Sequence, residues 1–278
     1  MTHYTDTYDY YGRDGERHIS DIACDDRINP KIIKMYVGFH ISPMKYLLDQ
    51  MGGKPIICFG SCKGIDFTEY EFVNYIEEIY TDGSIKCTVT DFTCFISLLL
   101  FSLSFKPLKN ISKLILPNSV RMMHISTNQS LVGMTFPTNL RKILFSCCYD
   151  YSLENVRFPE SLQHIQLGTI KSCTDVTLPS SIEHISVRYE AIQKKLFIFP
   201  PSLRILTITT TAESLNDLPN GIEELCIYDV NQRVTNLPSS LQKITVKYMS
   251  DAKIIKKFKK LPYGCIVLNK HNEIILSS

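Results

Sequence analysis

LPSSLQKITV, running from Leu237 to Val246, is the stretch whose reading decides the fold. It is one copy of the phrase Pro-x-Ser-Leu-x-x-Leu-x-Ile. Close variants open at Pro117, Pro137, Pro159, Pro179, Pro200, Pro219, Pro238 and Pro262, each proline preceded by Leu or Phe. The spacings are 20, 22, 20, 21, 19, 19 and 24 residues. A period near twenty marks a solenoid in which each coil is a single supersecondary unit. Such a molecule presents a repeated surface and seldom brings its own chemistry.

Each copy has three apolar slots. They are Val120, Met123 and Ile125; Leu140, Ile143 and Phe145; Leu162, Ile165 and Leu167; Ile182, Ile185 and Val187; Leu203, Leu206 and Ile208; Ile222, Leu225 and Ile227; Leu241, Ile244 and Val246. The second and third slots are two residues apart, so on a strand they point the same way, and the residue between them points the opposite way. His124, Gln166, Ser186, Thr207 and Thr245 fill that intervening place. One such strand cannot bury its apolar side alone. Stacked coils can, as a parallel ladder with a dry side and an open side.

The proline shapes the return path. It lacks an N–H, fixes φ and pushes the preceding residue toward extended geometry, so a helix cannot run through it. The expected fold is an α/β-solenoid: a parallel β-ladder with an extended convex side and a small N-terminal α/β cap. An earlier, degenerate coil is predicted with Leu100, Leu103 and Phe105 in the three slots and Ser97 in place of the proline. With strands about 4.8 Å apart, eight or nine coils span on the order of 40 Å.

The phrases LPSSLQKITV, FPESLQHIQL and LPSSIEHISV resemble the FNIP type of short leucine-rich repeat, found in amoebae and giant viruses. They are also similar to the repeats of poxvirus leucine-rich-repeat proteins and bacterial secreted effectors. The resemblance covers residues 97–250 and implies a leucine-rich-repeat fold that binds a protein partner. One departure concerns the Asn that such repeats usually carry three places after the strand, where it satisfies buried backbone groups. Those places hold Asn128, Cys148, Ile170, Glu190, Thr211, Val230 and Met249, so in most coils another group must do this work.

A chain of 278 residues with 44% hydrophobic content has ample material for a core. Its net charge of +2 implies no global electrostatic partner. The charge is unevenly placed. Residues 1–30 carry Asp6, Asp9, Asp14, Glu16, Asp21, Asp25 and Asp26 against three arginines and read as an acidic flexible arm. The start lacks the basic and apolar segments of an export signal, and the run Cys94 to Phe105 is too short to span a bilayer. Ten irregularly spaced cysteines then read as reduced thiols in an intracellular, cytoplasmic protein without membrane insertion. Scarce alanine beside abundant Ile, Lys, Asn and Tyr suggests an AT-rich genome, compatible with a large DNA virus.

Residues 31–96 read as the N-terminal cap. Pro43 to Met51 is predicted as a short helix ended by Gly52-Gly53, and Pro55 to Phe59 as a buried strand. A second helix follows, with Thr68 and Glu71 as a capping box, Phe67 and Phe72 as a staple, and Phe72, Val73, Ile76 and Ile79 as its apolar stripe. Ile85, Cys87 and Val89 alternate as a strand. Residues 97–250 form the solenoid and 251–278 a basic C-terminal cap. Within that cap Lys253, Lys256, Lys257, Lys259 and Lys260 surround Ile254, Ile255 and Phe258 on a short amphipathic helix. The lysines suit weak anionic contacts with nucleic acid or lipid, or form a solvated face.

Catalytic and metal-binding readings are poorly supported. Cys24 and Asp26 resemble the Cys-x-Asp motif of bacterial leucine-rich ubiquitin ligases, which implies Cys24 as nucleophile and Asp26 as proton-transfer aid. Asp21 and Asp25 beside them oppose thiolate formation, and in that family the catalytic domain is larger and follows the repeats. Gly60-Ser61-Cys62-Lys63-Gly64 lacks the spacing of a phosphate loop, and Cys58 with Cys62 lacks a second pair of zinc ligands. His164 and His184 share a slot in neighbouring coils, without a third ligand in their column. No cofactor or metal is therefore expected. The expected function is non-enzymatic binding of a protein through outward strand positions. These are Lys142, Leu144, His164, Gln166, His184, Ser186, Ile205, Thr207, Glu224, Cys226, Lys243 and Thr245. A ubiquitin-ligase adaptor or ligase and a nucleic-acid binder are the alternatives.

Overall fold

The computed structural model describes the strand backbones at Lys34–Tyr36 and Ile56–Phe59, residues 74, 76–81 and 90–103, and residues 111–278 except 128, 147, 148, 150, 169–175, 196, 197, 216 and 217. Within these residues the chain winds into one 13-stranded sheet whose strand order is the chain order. The strands are β1 Lys34–Tyr36, β2 Ile56–Phe59, β3 Glu78–Thr81, β4 Leu100–Leu103, β5 Met122–Ile125, β6 Lys142–Phe145 and β7 His164–Gln166. They continue as β8 His184–Val187, β9 Ile205–Ala212, β10 Glu224–Val230, β11 Lys243–Val246, β12 Ile266–Leu268 and β13 Ile274–Ser277. Every pairing from β1 to β12 is parallel, and β13 returns antiparallel to β12.

The apolar slots build the core as the repeat demands. All seven triplets from Val120 to Val246 are buried. Burying one such side chain contributes roughly 1.5–3 kcal/mol, so each coil stabilises its neighbours through several side chains at once. The proline marks a turn that recurs with the same bond. The N–H of the first slot donates to the proline carbonyl, as in Leu140 to Pro137, Leu162 to Pro159 and Leu241 to Pro238, at 3.0–3.1 Å. A second set of apolar residues, just before the prolines, fills the back of the core. Leu131, Met134 and Phe136, then Leu153, Val156 and Phe158, are buried there, and Phe136 and Phe158 contact each other with ring centroids 5.6 Å apart. The return path is mostly extended or turn-like, with parallel bridges at Asp91–Ile115 and Val234–Phe258. Among the described residues two returns instead carry a short α-helix: α1, Tyr189–Gln193, between β8 and β9, and α2, Asp251–Lys257, between β11 and β12.

In four coils the serine of the proline-led turn ties that coil to the one before it. Ser161 Oγ donates to the Leu140 carbonyl, Ser181 to Leu162, Ser202 to Ile182 and Ser240 to Ile222, at 2.6–2.7 Å. A backbone ladder runs beside them. The Arg121 carbonyl accepts the N–H groups of both Arg141 and Lys142 at 2.9 and 3.0 Å, and the Arg141 carbonyl accepts those of Gln163 and His164 at 2.9 Å each. The same double acceptance recurs at Gln163, Glu183, Arg204 and Glu223. Gly168 sits where the backbone passes close to the preceding coil: a Cβ there would lie 2.1 Å from the Ser146 carbonyl oxygen.

Two sequence expectations are corrected. The degenerate coil is out of phase by two residues. β4 aligns Phe101 with Met123 and Leu103 with Ile125, so the slots hold Leu98, Phe101 and Leu103, and Leu100 lies in the outward row. Phe95 takes the proline's place in the turn, its carbonyl accepting the Leu98 N–H at 3.0 Å. The predicted second helix does not reach its stated end, because Ile79 lies in β3, and Ile76 and Ile79 occupy the first and second slots of a coil. The Leu-x-x-Leu spacing of the repeat equals the i, i+3 spacing of a helix, so periodicity alone confuses the two. The sheet itself runs on across residue 97. Register partners Lys34, Ile56, Glu78, Leu100 and Met122 stand 22 residues apart in one unbroken row.

The predicted strand at Pro55 to Phe59 is β2. The acidic arm, the helix from Pro43 to Met51, the capping box and staple, Gly60–Gly64 and the strand at Ile85 to Val89 lie outside the described residues. The basic helix is α2, Asp251–Lys257, which buries Ile254 and is followed by buried Phe258, while Ile255 faces water. Beyond it, Asn269 secures the turn into β13, accepting from the N–H groups of His271 and Glu273 at 2.9 and 3.1 Å. No helix among the described residues is long and apolar enough to cross a membrane.

Candidate binding face

The ladder aligns the outward side chains into rows. The first row runs Met122, Lys142, His164, His184, Ile205, Glu224 and Lys243; the second runs His124, Leu144, Gln166, Ser186, Thr207, Cys226 and Thr245. These rows hold all twelve expected contact residues. Eleven of them are half-buried by their neighbours in the rows, leaving their tips accessible. Ser186 is the exception. It is only 4% exposed, because His164 Nε2 and His184 Nε2 each lie 3.4 Å from its Oγ and cover it. Ser186 therefore lies beneath the imidazoles, and the rings form the accessible surface above it.

The two histidines stack face to face, with ring centroids 3.9 Å apart and planes inclined by 18°. His184 Nε2 also lies 2.9 Å from Thr207 Oγ1. Burial, then the neighbouring His184 and Lys142, push the His164 pKa down to about 3. Burial and Lys142 lower that of His184 against a smaller upward pull from Glu224. His124, between Ser102 Oγ and Ser126 Oγ at 3.4 Å each, is lowered by burial. At neutral pH the centre of the face thus carries uncharged imidazoles, each able to donate and accept one hydrogen bond. Among the described residues no three His, Cys, Asp or Glu side chains gather to hold a metal ion.

Charge is distributed unequally along the rows. At the β10–β11 end it is internally paired: Lys243 Nζ meets Glu224 Oε2 at 2.9 Å, and Arg204 pairs with Glu223. At the β6 end Arg141 is exposed and Lys142 half-buried, and neither has a carboxylate partner among the described residues. Burial raises the pKa of Cys226, so this thiol stays protonated and unreactive. The third row, Arg121, Arg141, Gln163, Glu183, Arg204, Glu223 and Gln242, was not among the expected contacts. Its signal lay one residue before the first row, a place that is polar in all seven copies. Met122 and His124 fill the same two rows as Lys142 and Leu144. Cys24 and Asp26 lie outside the described residues.

A ladder of short parallel strands, one per coil of about twenty residues, with apolar slots inside and polar rows outside, defines a leucine-rich repeat protein. More specifically, the chain belongs to the BspA-type leucine-rich repeat family. The family model of a BspA-type leucine-rich repeat region of six copies matches over residues 58–177 and again over 101–218, which together span more than half of the chain. Among solved structures it is similar to CroV588, described as a novel circular leucine-rich repeat protein structure. The identity is 18% and the TM-score 0.51, over 87% of this chain and 40% of that one. The chain thus spans two fifths of that protein's length, and the likeness shows the fold. No curated protein matches the chain.

Proposed function

We propose that this chain is a non-enzymatic docking module that holds a protein partner across the outward rows of β5–β11. Leucine-rich repeats generally mediate protein–protein interaction, and this sheet offers a face held rigid by a bond from every coil to the next. Little ordering cost falls on such a surface at binding. The observation that carries the reading is the cationic pair Arg141 and Lys142, which has no carboxylate partner among the described residues, beside the neutral His164–His184 stack. That arrangement suits a protein segment with a carboxylate over β6 and hydrogen-bonding groups over β7 and β8.

The finer assignment we propose is the FNIP type within the leucine-rich repeats, because the Pro-x-Ser-Leu-x-x-Leu-x-Ile phrase is its hallmark. Scarce alanine supports an origin in a large DNA virus, and with it a role at a host protein in the cytoplasm. The test is affinity capture with the full chain as bait. A partner retained by the wild type is expected to be lost with Arg141→Glu plus Lys142→Glu and kept with Glu160→Lys, a change in an exposed turn. Retention by the double variant would remove the face from consideration. A ubiquitin discharge assay comparing the chain with Cys24→Ala addresses the enzymatic alternative, with no Cys24-dependent discharge expected.

A further inference from the structure

The terminal coil carries a second surface of different character. Residues 251–278 contain six lysines against Asp251 and Glu273. Both carboxylates are engaged locally, accepting from Asn269 Nδ2 at 3.2 and 2.8 Å. Lys257 donates to the Asn231 carbonyl. Lys253, Lys256, Lys259, Lys260 and Lys270 remain exposed, without a carboxylate partner among the described residues. Apolar side chains stand in water among them: Tyr263 is 100% exposed, Ile274 64% and Ile255 46%. α2 packs against β13, so these residues share one end of the solenoid.

Fold stability does not account for this pattern. Ile254 and Phe258 already anchor the helix, and the remaining positions of a surface helix are ordinarily polar. Lysines interleaved with an exposed tyrosine and isoleucines match the chemistry of a bilayer interface. There the cations meet anionic headgroups, and the apolar tips enter the headgroup–acyl boundary. A nucleic-acid backbone would meet the lysines and leave Ile274 and Ile255 in water.

We infer that the terminal coil is a peripheral docking surface for anionic lipid bilayers. This surface is separate from the outward rows, so the two readings stand or fall independently. Cosedimentation of the full chain with vesicles tests it. Binding is expected to phosphatidylcholine vesicles containing about one third phosphatidylserine, and not to phosphatidylcholine alone, and it weakens as salt rises. Lys256→Glu with Lys259→Glu is expected to lower it by roughly tenfold or more. Tyr263→Ser, at a fully exposed side chain, lowers it about threefold while keeping every charge. Lys142→Glu leaves it unchanged. Failure of the wild type to sediment with phosphatidylserine vesicles overturns the inference. So does a Tyr263→Ser variant that binds both vesicles and a short DNA duplex as the wild type does, since the site then reads charge alone.

Discussion

Along the dry side of β5–β11 each coil repeats Leu, Ile, Val, Met or Phe in the same three slots. The wet side of the same strands changes at every step, from Met122 through Lys142, His164, His184, Ile205 and Glu224 to Lys243. The inner rows are interchangeable because burial asks only for volume and shape. The outer rows are not, since each side chain there answers to its own neighbours: stacked rings at β7–β8, an ion pair at β10–β11, and at β6 a lysine with no carboxylate partner among the described residues. The periodic part of the sequence therefore specifies architecture, and the aperiodic part carries recognition.

The largest effects should fall on the dry side. Ile165→Ala and Ile185→Ala are each expected to cost about 2–5 kcal/mol in urea unfolding, with similar values for the two sites. A large difference between them would break the equivalence of the inner rows. Gly168→Ala comes next, at roughly 1–3 kcal/mol in thermal unfolding, because its Cβ would collide with the Ser146 carbonyl and the backbone must shift.

The wet side responds to pH. His164 and His184 titrate in the unfolded chain near 6.5; in the fold both are lowered, His164 to about 3. The unfolded state then binds more protons, so this contribution is fully present above pH 6.5 and fades as pH falls toward the folded values. Because both rings are partly exposed, roughly 1–2 kcal/mol is expected. His164→Gln should flatten the stability profile between pH 6.5 and 4; an unchanged profile would deny the stack its neutral state. The inter-coil tie of Ser181 is worth about 1 kcal/mol, read as the stability loss in Ser181→Ala. Smallest is Lys243→Ala, at about 0–1 kcal/mol, since its pair with Glu224 is partly exposed.

Legibility followed the same division. Coils with Pro117 to Pro238 could be read in phase because the proline-led turn fixes where the slots begin. At β4, Phe95 replaces that marker, and a leucine-rich run offers two registers; only coil-to-coil pairing selects Leu98, Phe101 and Leu103. At β3 the slots imitate a helix. The outward rows themselves were readable by alternation, but the burial of Ser186, the pairing of Glu224 with Lys243 and the stacking of His164 on His184 depend on which coil lies alongside. That information sits about twenty residues away in the chain.

The carbonyl that accepts two N–H groups from the following coil has a kinetic consequence. Releasing one coil frees a pair of amides together, and the coil beneath becomes the new frayed margin. Solvent deuterium should therefore enter in paired steps that advance from the margins inward, with the amides of Gln163 and His164, deep in the stack, among the last to exchange.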